Sequence, residues 1–474
     1  MLSPLGIYLC LTLLVLQCQA QAPADVIVTG YAQQSLTMGI NYGTLGDNLP
    51  SVADTVTAIK AMKFGRVKLF NPNPDILGAL ANTGLEVVVT LPNEEIVEVG
   101  ASLVSGESWV ERHIAPYYPA ANIVTILIGN EIFTSDKFQS TWTSLVPATQ
   151  NIHAALRSRG WSGHIKISTA VALDVLATSF PPSAGTFRAD IAISVLQPFL
   201  SFLTTTNSYL FVNVYPFLTY TISTDISLGY AMFSNTTEVN DGGRTYTNLM
   251  DAQIDAVYAA STHLGFPNLR IAVGETGWPT AGDVNQTGAT VDNAALYNRR
   301  LVLKVLSTTH VGTPARPGVI IPTYIFSLFN ENLKPGVGSE RNWGLLYPDL
   351  TPVYAVDLTG QLLDHQYAPN SVSTGPPSSP SSAGSGSWCV SSAAADPVTL
   401  ENGLNYACNA NEEFCAALQP GQSCHLPNTV ASHASWAFNS YWQKYRSAGG
   451  SCSFDGAATL TSIDPSFGTC LFPH

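Results

Sequence analysis

The chain has 474 residues and a net charge of −13, from 20 Lys and Arg against 33 Asp and Glu. Charged residues make up only 11% of it, whereas Gly and Pro number 37 and 30; an acidic chain of this kind repels phosphate backbones and anionic membrane surfaces, which excludes nucleic acid as a partner and suits a neutral polymer better. The length exceeds one ordinary domain and fits a large α/β barrel plus a small module.

At the N-terminus, Leu5 to Leu16 form an apolar run too short to span a bilayer, followed by Gln17-Cys18-Gln19-Ala20 with the small residue that signal peptidase accepts. Residues 1–20 therefore read as a removed secretion signal, and the mature protein is expected in the extracellular space or cell wall. The C-terminal Gly468-Thr469-Cys470-Leu471-Phe472-Pro473-His474 lacks the apolar tail that is exchanged for a lipid anchor, so none is expected. Asn235 and Asn285 open glycosylation sequons in polar stretches. A monomer is expected.

Strand-like runs of β-branched and apolar residues follow at 36–42, 65–70, 85–91, 122–128, 164–171, 209–215, 269–273 and 319–329. Between them lie helical patterns such as 144–157 and 246–263, with apolar residues recurring every three to four positions. Alternation of this kind predicts a (β/α)8 TIM barrel. A doubly wound open sheet is the alternative, but no strand runs into a Gly-x-Gly-x-x-Gly phosphate turn.

Catalytic groups of such barrels sit where strands end. The fourth run ends in Ile128-Gly129-Asn130-Glu131 and the seventh in Val273-Gly274-Glu275-Thr276-Gly277-Trp278-Pro279. Tyr42 closes the first, Asn213 and Tyr215 the sixth, and Asn330 and Glu331 the eighth. Two glutamates without a metal-ligand cluster or cofactor motif match glycoside hydrolysis, in which one carboxyl protonates the leaving oxygen while the other attacks or activates water. A lone strand-end glutamate is more often a cap or ion-pair partner; the pairing is what shifts the reading. Tyr42, Phe70, Tyr215 and Trp343 offer flat faces for sugar rings.

Residues 368–387 are rich in Ser, Pro and Gly and read as a flexible tether. Domain boundaries are thus expected at 1–20 (signal), 21–367 (barrel), 368–387 (linker) and 388–474 (small module). No cysteine occurs between Gln19 and Trp388, and six follow: Cys389, Cys408, Cys415, Cys424, Cys452 and Cys470. In a small secreted module they imply three disulfides, since such a module buries little surface and gains from covalent staples. Zinc is disfavoured because Cys-x-x-Cys spacing is absent. Six cysteines allow 15 pairings, and proximity suggests only Cys415 with Cys424.

Several of these segments carry a resemblance. Met38-Gly39-Ile40-Asn41-Tyr42-Gly43, Val67-Lys68-Leu69-Phe70, Ile128-Gly129-Asn130-Glu131, Asn213-Val214-Tyr215-Pro216, Gly274-Glu275-Thr276-Gly277-Trp278-Pro279 and Trp343-Gly344-Leu345 resemble the plant family 17 glycoside hydrolases, the endo-1,3-β-glucanases. The resemblance implies a retaining enzyme with Glu275 as nucleophile and Glu131 as acid/base, the two carboxyls about 5 Å apart. It places Asn130 on the sugar 2-hydroxyl and Glu331, Lys334 and Glu340 in support of the nucleophile and subsites. Phe70 and Phe217 stand where many relatives carry Tyr, so hydroxyl contacts are not expected there.

The cysteine-rich region, with Ser387-Trp388-Cys389-Val390, Leu404-Asn405-Tyr406-Ala407-Cys408, Ser440-Tyr441-Trp442-Gln443-Lys444 and Asp464-Pro465-Ser466-Phe467-Gly468, is similar to the plant X8 domain, carbohydrate-binding module family 43. That resemblance implies a mainly helical, glucan-binding fold and the pairs Cys389 with Cys452, Cys408 with Cys470 and Cys415 with Cys424. Tyr441, Trp442 and Tyr445 are the binding candidates. The whole chain then reads as an enzyme acting on 1,3-β-glucan without a cofactor. A non-catalytic wall-binding protein, a transglycosylase and a mixed-linkage glucanase are the rival readings.

Overall fold

The computed structural model describes residues 38–234, 238–363, 367 and, in the C-terminal region, 387–392, 395, 397–419, 422–425, 429–446, 450–461, 465–466 and 470–473. The expected signal segment, residues 368–386 of the expected linker and Asn235 lie outside the described residues; Asn285 lies on an exposed turn.

Eight parallel strands close into a barrel: β1 (Met38–Tyr42), β2 (Arg66–Leu69), β3 (Glu86–Leu91), β4 (Asn122–Asn130), β5 (Lys166–Ala172), β6 (Tyr209–Asn213), β7 (Arg270–Thr276) and β8 (Thr323–Ile325). Each pairs with its neighbours in sequence, and β8 returns to β1 with Met38 opposite Thr323. Helices join the strands, among them α1 (Val52–Ala61), α2 (Leu145–Ser158), α3 (Leu249–His263) and α4 (Val291–Val305). Their starts are written in short polar side chains: Ser51, Asn248 and Thr290 each accept from a backbone N–H of the first turn.

Strand side chains alternate between two cores. Val87, Val89 and Leu91 of β3 face the helices, while Val88 meets Leu127, Ala170, Phe211, Ala272 and Tyr324 in the barrel interior. Fully buried strands explain why the sequence shows continuous apolar runs instead of strict alternation.

Two elements are shorter than their sequence patterns suggest. The eighth run yields only Thr323–Ile325, because beyond it the chain leaves the ladder: Ser327 N–H donates to Trp343 O and Leu328 N–H to Asn41 O. The 246–263 pattern becomes a helix only from Leu249, since Asn248 caps it and Tyr246 is paired with Val239 in a small hairpin.

In the C-terminal region, β9 (Trp388–Ser391) pairs antiparallel with β10 (Ala458–Thr461), and helices α5 (Pro397–Ala410) and α6 (Val430–Tyr445) pack around Leu400, Ala407, Ala434, Ala437, Phe438 and Trp442. Three disulfides staple it: Cys389–Cys452, Cys408–Cys415 and Cys424–Cys470. Only the first matches the pairing implied by resemblance. The chain turns back directly after α5, bringing Cys415 within 5.5 Å (Cα–Cα) of Cys408, which leaves Cys424 to meet Cys470 at 4.7 Å. Closeness of Cys415 and Cys424 in sequence was therefore a misleading guide.

Candidate active site

A cavity of about 1060 Å³ lies at the N-terminal end of the barrel, away from the glutamates, lined by Arg66, Tyr209, Arg270 and Arg316 among others. Its arginines stitch the barrel base: Arg66 to Glu86 at 2.6 Å, Arg270 over the Tyr209 ring, and Arg316 to the Pro267 carbonyl at 2.8 Å. The two glutamates sit at the opposite rim.

There, both glutamate-bearing strands are irregular. The β4–β5 register shifts between Leu127 and Asn130, and the β7 register shifts past Val273 against both β6 and β8. Such bulges re-aim the side chains that follow. In β4 the turn is tight: Gly129 has φ 76° and Glu131 φ 52°, a left-handed conformation that a non-glycine residue adopts only when its surroundings hold it there. The surroundings are visible. The Asn93 side chain both accepts from Asn130 N–H at 2.8 Å and donates to Asn130 O at 2.9 Å, Glu131 N–H donates to Ala170 O at 2.8 Å, and Thr169 Oγ1 donates to Ile128 O at 2.7 Å.

The segment after Glu275 is equally determined. Thr276 Oγ1 meets the Tyr297 hydroxyl at 2.6 Å; a Cβ on Gly277 would come within 2.1 Å of Phe326 O; and Trp278 is fully buried, donating to Gly288 O at 2.8 Å. The Glu-Thr-Gly-Trp-Pro string is thus a packing solution that fixes Glu275 in the rim.

The two carboxylates occupy contrasting surroundings. Glu275 is buried and gripped on both oxygens: Lys68 Nζ donates to Oε1 at 2.6 Å and the Tyr215 hydroxyl to Oε2 at 2.7 Å. Lys68, fully buried, also donates to Asn41 Oδ1 at 3.1 Å and lies 4.2 Å above the Phe70 ring, while Asn41 is anchored to Gly274 O and Ile325 O. A lysine is tolerated at zero exposure because its charge and hydrogens are met in this way. The Tyr215 phenol is held well above its usual range, first by burial and then by the negative charges of Glu275 and Glu131, so it stays a neutral donor.

Glu131 has no cationic partner within ion-pair distance among the described residues; Asn213 Nδ2 donates to its Oε1 at 2.7 Å. Burial pushes its carboxyl up to about 7, with the charge of Glu275 adding to the rise and the Asn213 hydrogen bond and Lys68 opposing it. Asn213 also reaches Asn130 Oδ1 at 3.4 Å, so one β6 amide links the pair on β4. A carboxylate in an ion pair beside a carboxyl that holds its proton near neutrality is an arrangement able to push a proton with one group and an electron pair with the other.

Around this pair, Glu331 is buried and accepts from Leu45 N–H at 2.7 Å; burial raises its carboxyl, and Gly43 leaves room for it, since a Cβ there would lie 2.3 Å from the carboxylate. Lys334 lies 3.6 Å from Glu340 and 4.0 Å from the Phe326 ring centroid. Glu275, Lys334 and Glu340 all act on the Glu331 carboxyl, the lysine opposing its rise and the two glutamates adding to it.

Some sequence expectations need correction. Tyr42 does not face the cleft: Asn41 points inward, so by strand alternation Tyr42 points outward, 4% exposed, with its ring edge-on to Phe329 and its hydroxyl on Thr55 of α1. Trp343 is 3% exposed and boxed by Tyr215, Phe217 and Phe326, so its ring is floor packing, not a free sugar platform. Phe70 is half-buried with one face under Lys68. Phe217 is fully buried between Trp278 and Trp343. Sequence reasoning gave no role to Lys68, Asn41, Asn93 or Thr169. The signal at Lys68 was a cation inside an apolar strand, which has to meet an opposite charge.

Residues 38–358 match the model of glycosyl hydrolases family 17, and residues 387–459 match the X8 domain. The chain belongs to glycosyl hydrolases family 17 and is a glycoside hydrolase carrying an X8 domain. It is 42% identical over 441 residues to the Arabidopsis thaliana protein named "Probable glucan endo-1,3-beta-glucosidase A6", covering 92% of this chain and 91% of that one. It is also 38% identical over 439 residues to the Olea europaea "Glucan endo-1,3-beta-D-glucosidase", covering 92% and 93%. Among solved structures, the β-1,3-glucanase and pollen allergen CJP38 of Cryptomeria japonica superposes with a TM-score of 0.65 at 43% identity, over 68% of this chain and 99% of that one.

Proposed function

We propose that the protein is a secreted endo-hydrolase of 1,3-β-glucan that retains anomeric configuration, with Glu275 as nucleophile and Glu131 as acid/base. The observation that carries this reading is the contrast between the two carboxyls, one held by Lys68 and Tyr215, the other raised to about 7. The β-1,3-glucanase names of the relatives supply the linkage.

In the first step Glu131 gives its proton to the glycosidic oxygen while a Glu275 oxygen bonds to C1; the C1–O bond breaks and its electron pair leaves with the departing sugar hydroxyl. With Glu275 now esterified and neutral, the electrostatic cause that helped raise Glu131 is gone, and its carboxylate can take a proton from water. That water attacks C1, and the C1–Glu275 bond breaks to restore both groups. Asn130 is assigned to the sugar 2-hydroxyl and Phe70 to an adjacent ring, while Glu331, Lys334 and Glu340 support the nucleophile and subsites. The X8 domain keeps polymer near the barrel through the linker.

Reducing-end release from a linear 1,3-β-glucan, with products sized and the first anomer read by NMR, tests this. Short oligomers, an initial β-anomer and near-zero release by Glu275→Gln and Glu131→Gln are expected. A folded wild type that binds polymer without releasing reducing ends would overturn it. Longer products would point instead to transglycosylation.

A further inference from the structure

We propose that the X8 domain holds its glucan on a tyrosine face built by Tyr406 of α5 with Tyr441 and Tyr445 of α6, an assignment that rests on the glucan-binding reading above. Tyr441 and Tyr445 are four residues apart and share one face of α6. Their ring centroids lie 4.9 Å apart, and Tyr406 comes across from α5 to 5.6 Å from Tyr441, with the two hydroxyls 3.4 Å apart.

These rings sit where the core meets the surface. Phe438 is fully buried beneath them and Trp442 is 9% exposed, whereas Tyr406 is 60% exposed and Tyr441 and Tyr445 are half-buried at the edge of the core. Trp442, one of the sequence candidates, thereby drops out as a binding residue. A single exposed aromatic needs no explanation, but an exposed ring continued by two half-buried ones from a second helix forms a patch of the kind that marks a binding surface.

The patch is also rigid. Phe454 supports Tyr441 and Tyr406 at 5.3 and 6.2 Å and is itself stacked on Phe438 at 4.1 Å. Phe414 supports Tyr445 at 6.0 Å, and the neighbouring Cys408–Cys415 disulfide ties the segment bearing Phe414 to the end of α5 beside Tyr406. Rings fixed before binding lose little side-chain entropy on contact. Tyrosine presents an apolar face and a polar rim, which matches a pyranose with its C–H face and ring of hydroxyls. The ligand class this selects is a neutral sugar polymer.

The test uses the full chain and insoluble linear 1,3-β-glucan, with hydrolysis of a short soluble 1,3-β-oligomer as an internal control on the barrel. Tyr406→Ala and Tyr441→Ala should each weaken retention about tenfold, while Tyr441→Phe holds it and cleavage of the soluble oligomer is unchanged in all three. Retention within twofold of wild type in both Ala variants would overturn the assignment. Because Tyr406 is so exposed, its Ala variant is not expected to unfold the domain, and disulfide mapping checks this. Wild type that cleaves the oligomer yet ignores the polymer would overturn the glucan-binding reading of the domain together with this surface. Wild type that binds without cleaving would leave this assignment intact and overturn only the catalytic one.

Discussion

At the scale of single residues, Glu131 sets the expected pH behaviour. As the proposed acid it has to carry a proton to begin the reaction, so kcat/KM should fall as pH rises through about 7, the range to which burial and Glu275 push it. In Glu275→Gln the second of those causes is removed, and a carboxyl-carbon NMR titration should find Glu131 lower than in wild type yet still above 4.5, because burial remains. The same shift affects stability. A carboxyl whose folded value lies above its unfolded one binds more protons when folded, so its contribution is intact below pH 4.5 and is lost as pH climbs to about 7. Glu131→Gln should therefore stabilise the fold at neutral pH relative to wild type, by up to on the order of 3 kcal/mol, and by nothing below pH 4, as read from denaturant melts.

Lys68→Met is the complementary case. It leaves Glu275 buried with one oxygen unmatched and Asn41 Oδ1 without its donor. A loss of about 3–5 kcal/mol in stability is expected, with kcat reduced on soluble glucan. A melt within 1 kcal/mol of wild type would show that the pair contributes far less than its geometry implies. None of these partnerships is readable along the chain, since Lys68 and Glu275 are 207 positions apart. What was readable was the glutamates themselves, because each ends an apolar run beside a glycine.

At the scale of elements, the bulged ends of β4 and β7 aim the carboxyls. Gly129→Ala would place a Cβ at φ 76° and within 2.8 Å of both Ile96 and Asn93, the residue that clamps Asn130. The expected cost is about 1–3 kcal/mol in stability and a larger proportional fall in kcat than in substrate binding, since Glu131 is displaced while the other subsite residues are not. Equal losses in kcat and binding would argue against an aiming role. The barrel strands themselves were legible as apolar runs, six of the eight within two residues at both ends; β7 runs three residues past its apolar stretch, and β8 was misplaced at both ends. Its sequence 319–329 is apolar apart from Thr323 and Ser327, and only the turn made by Trp343 and Asn41 reveals where the ladder stops. Tyr42 was misread for a related reason: being last in a strand says nothing about which way a side chain points until the neighbouring Asn41 is known to face inward.

At the scale of the whole molecule, covalent cross-links and the proposed catalytic residues belong to different regions. All three disulfides join cysteines in 389–470, and the segment between Gln19 and Trp388 has none. Thiol reduction should therefore leave cleavage of a short soluble glucan within about twofold of its starting rate while retention on insoluble polymer collapses, as staples of this kind each contribute about 2–5 kcal/mol to a small domain. Parallel loss of both activities would contradict this division. The number of bridges could be counted from the sequence, but their pairing could not, because it depends on the turn that carries Cys415 back beside Cys408.

The closure of the barrel also bears on how the chain is made. Met38 lies opposite Thr323, so the first strand waits for the last, and a nascent polypeptide that has not yet emerged to that point carries two unpaired parallel edges, β1 and whichever strand was made most recently. Synthesis from one end to the other thus gives no early reward for the longest-range pairing in the fold. A ribosome that stalls or terminates before β8 releases an open sheet ready to pair with its neighbours, and the cell's folding machinery has to shield that edge for most of the time the barrel takes to be translated.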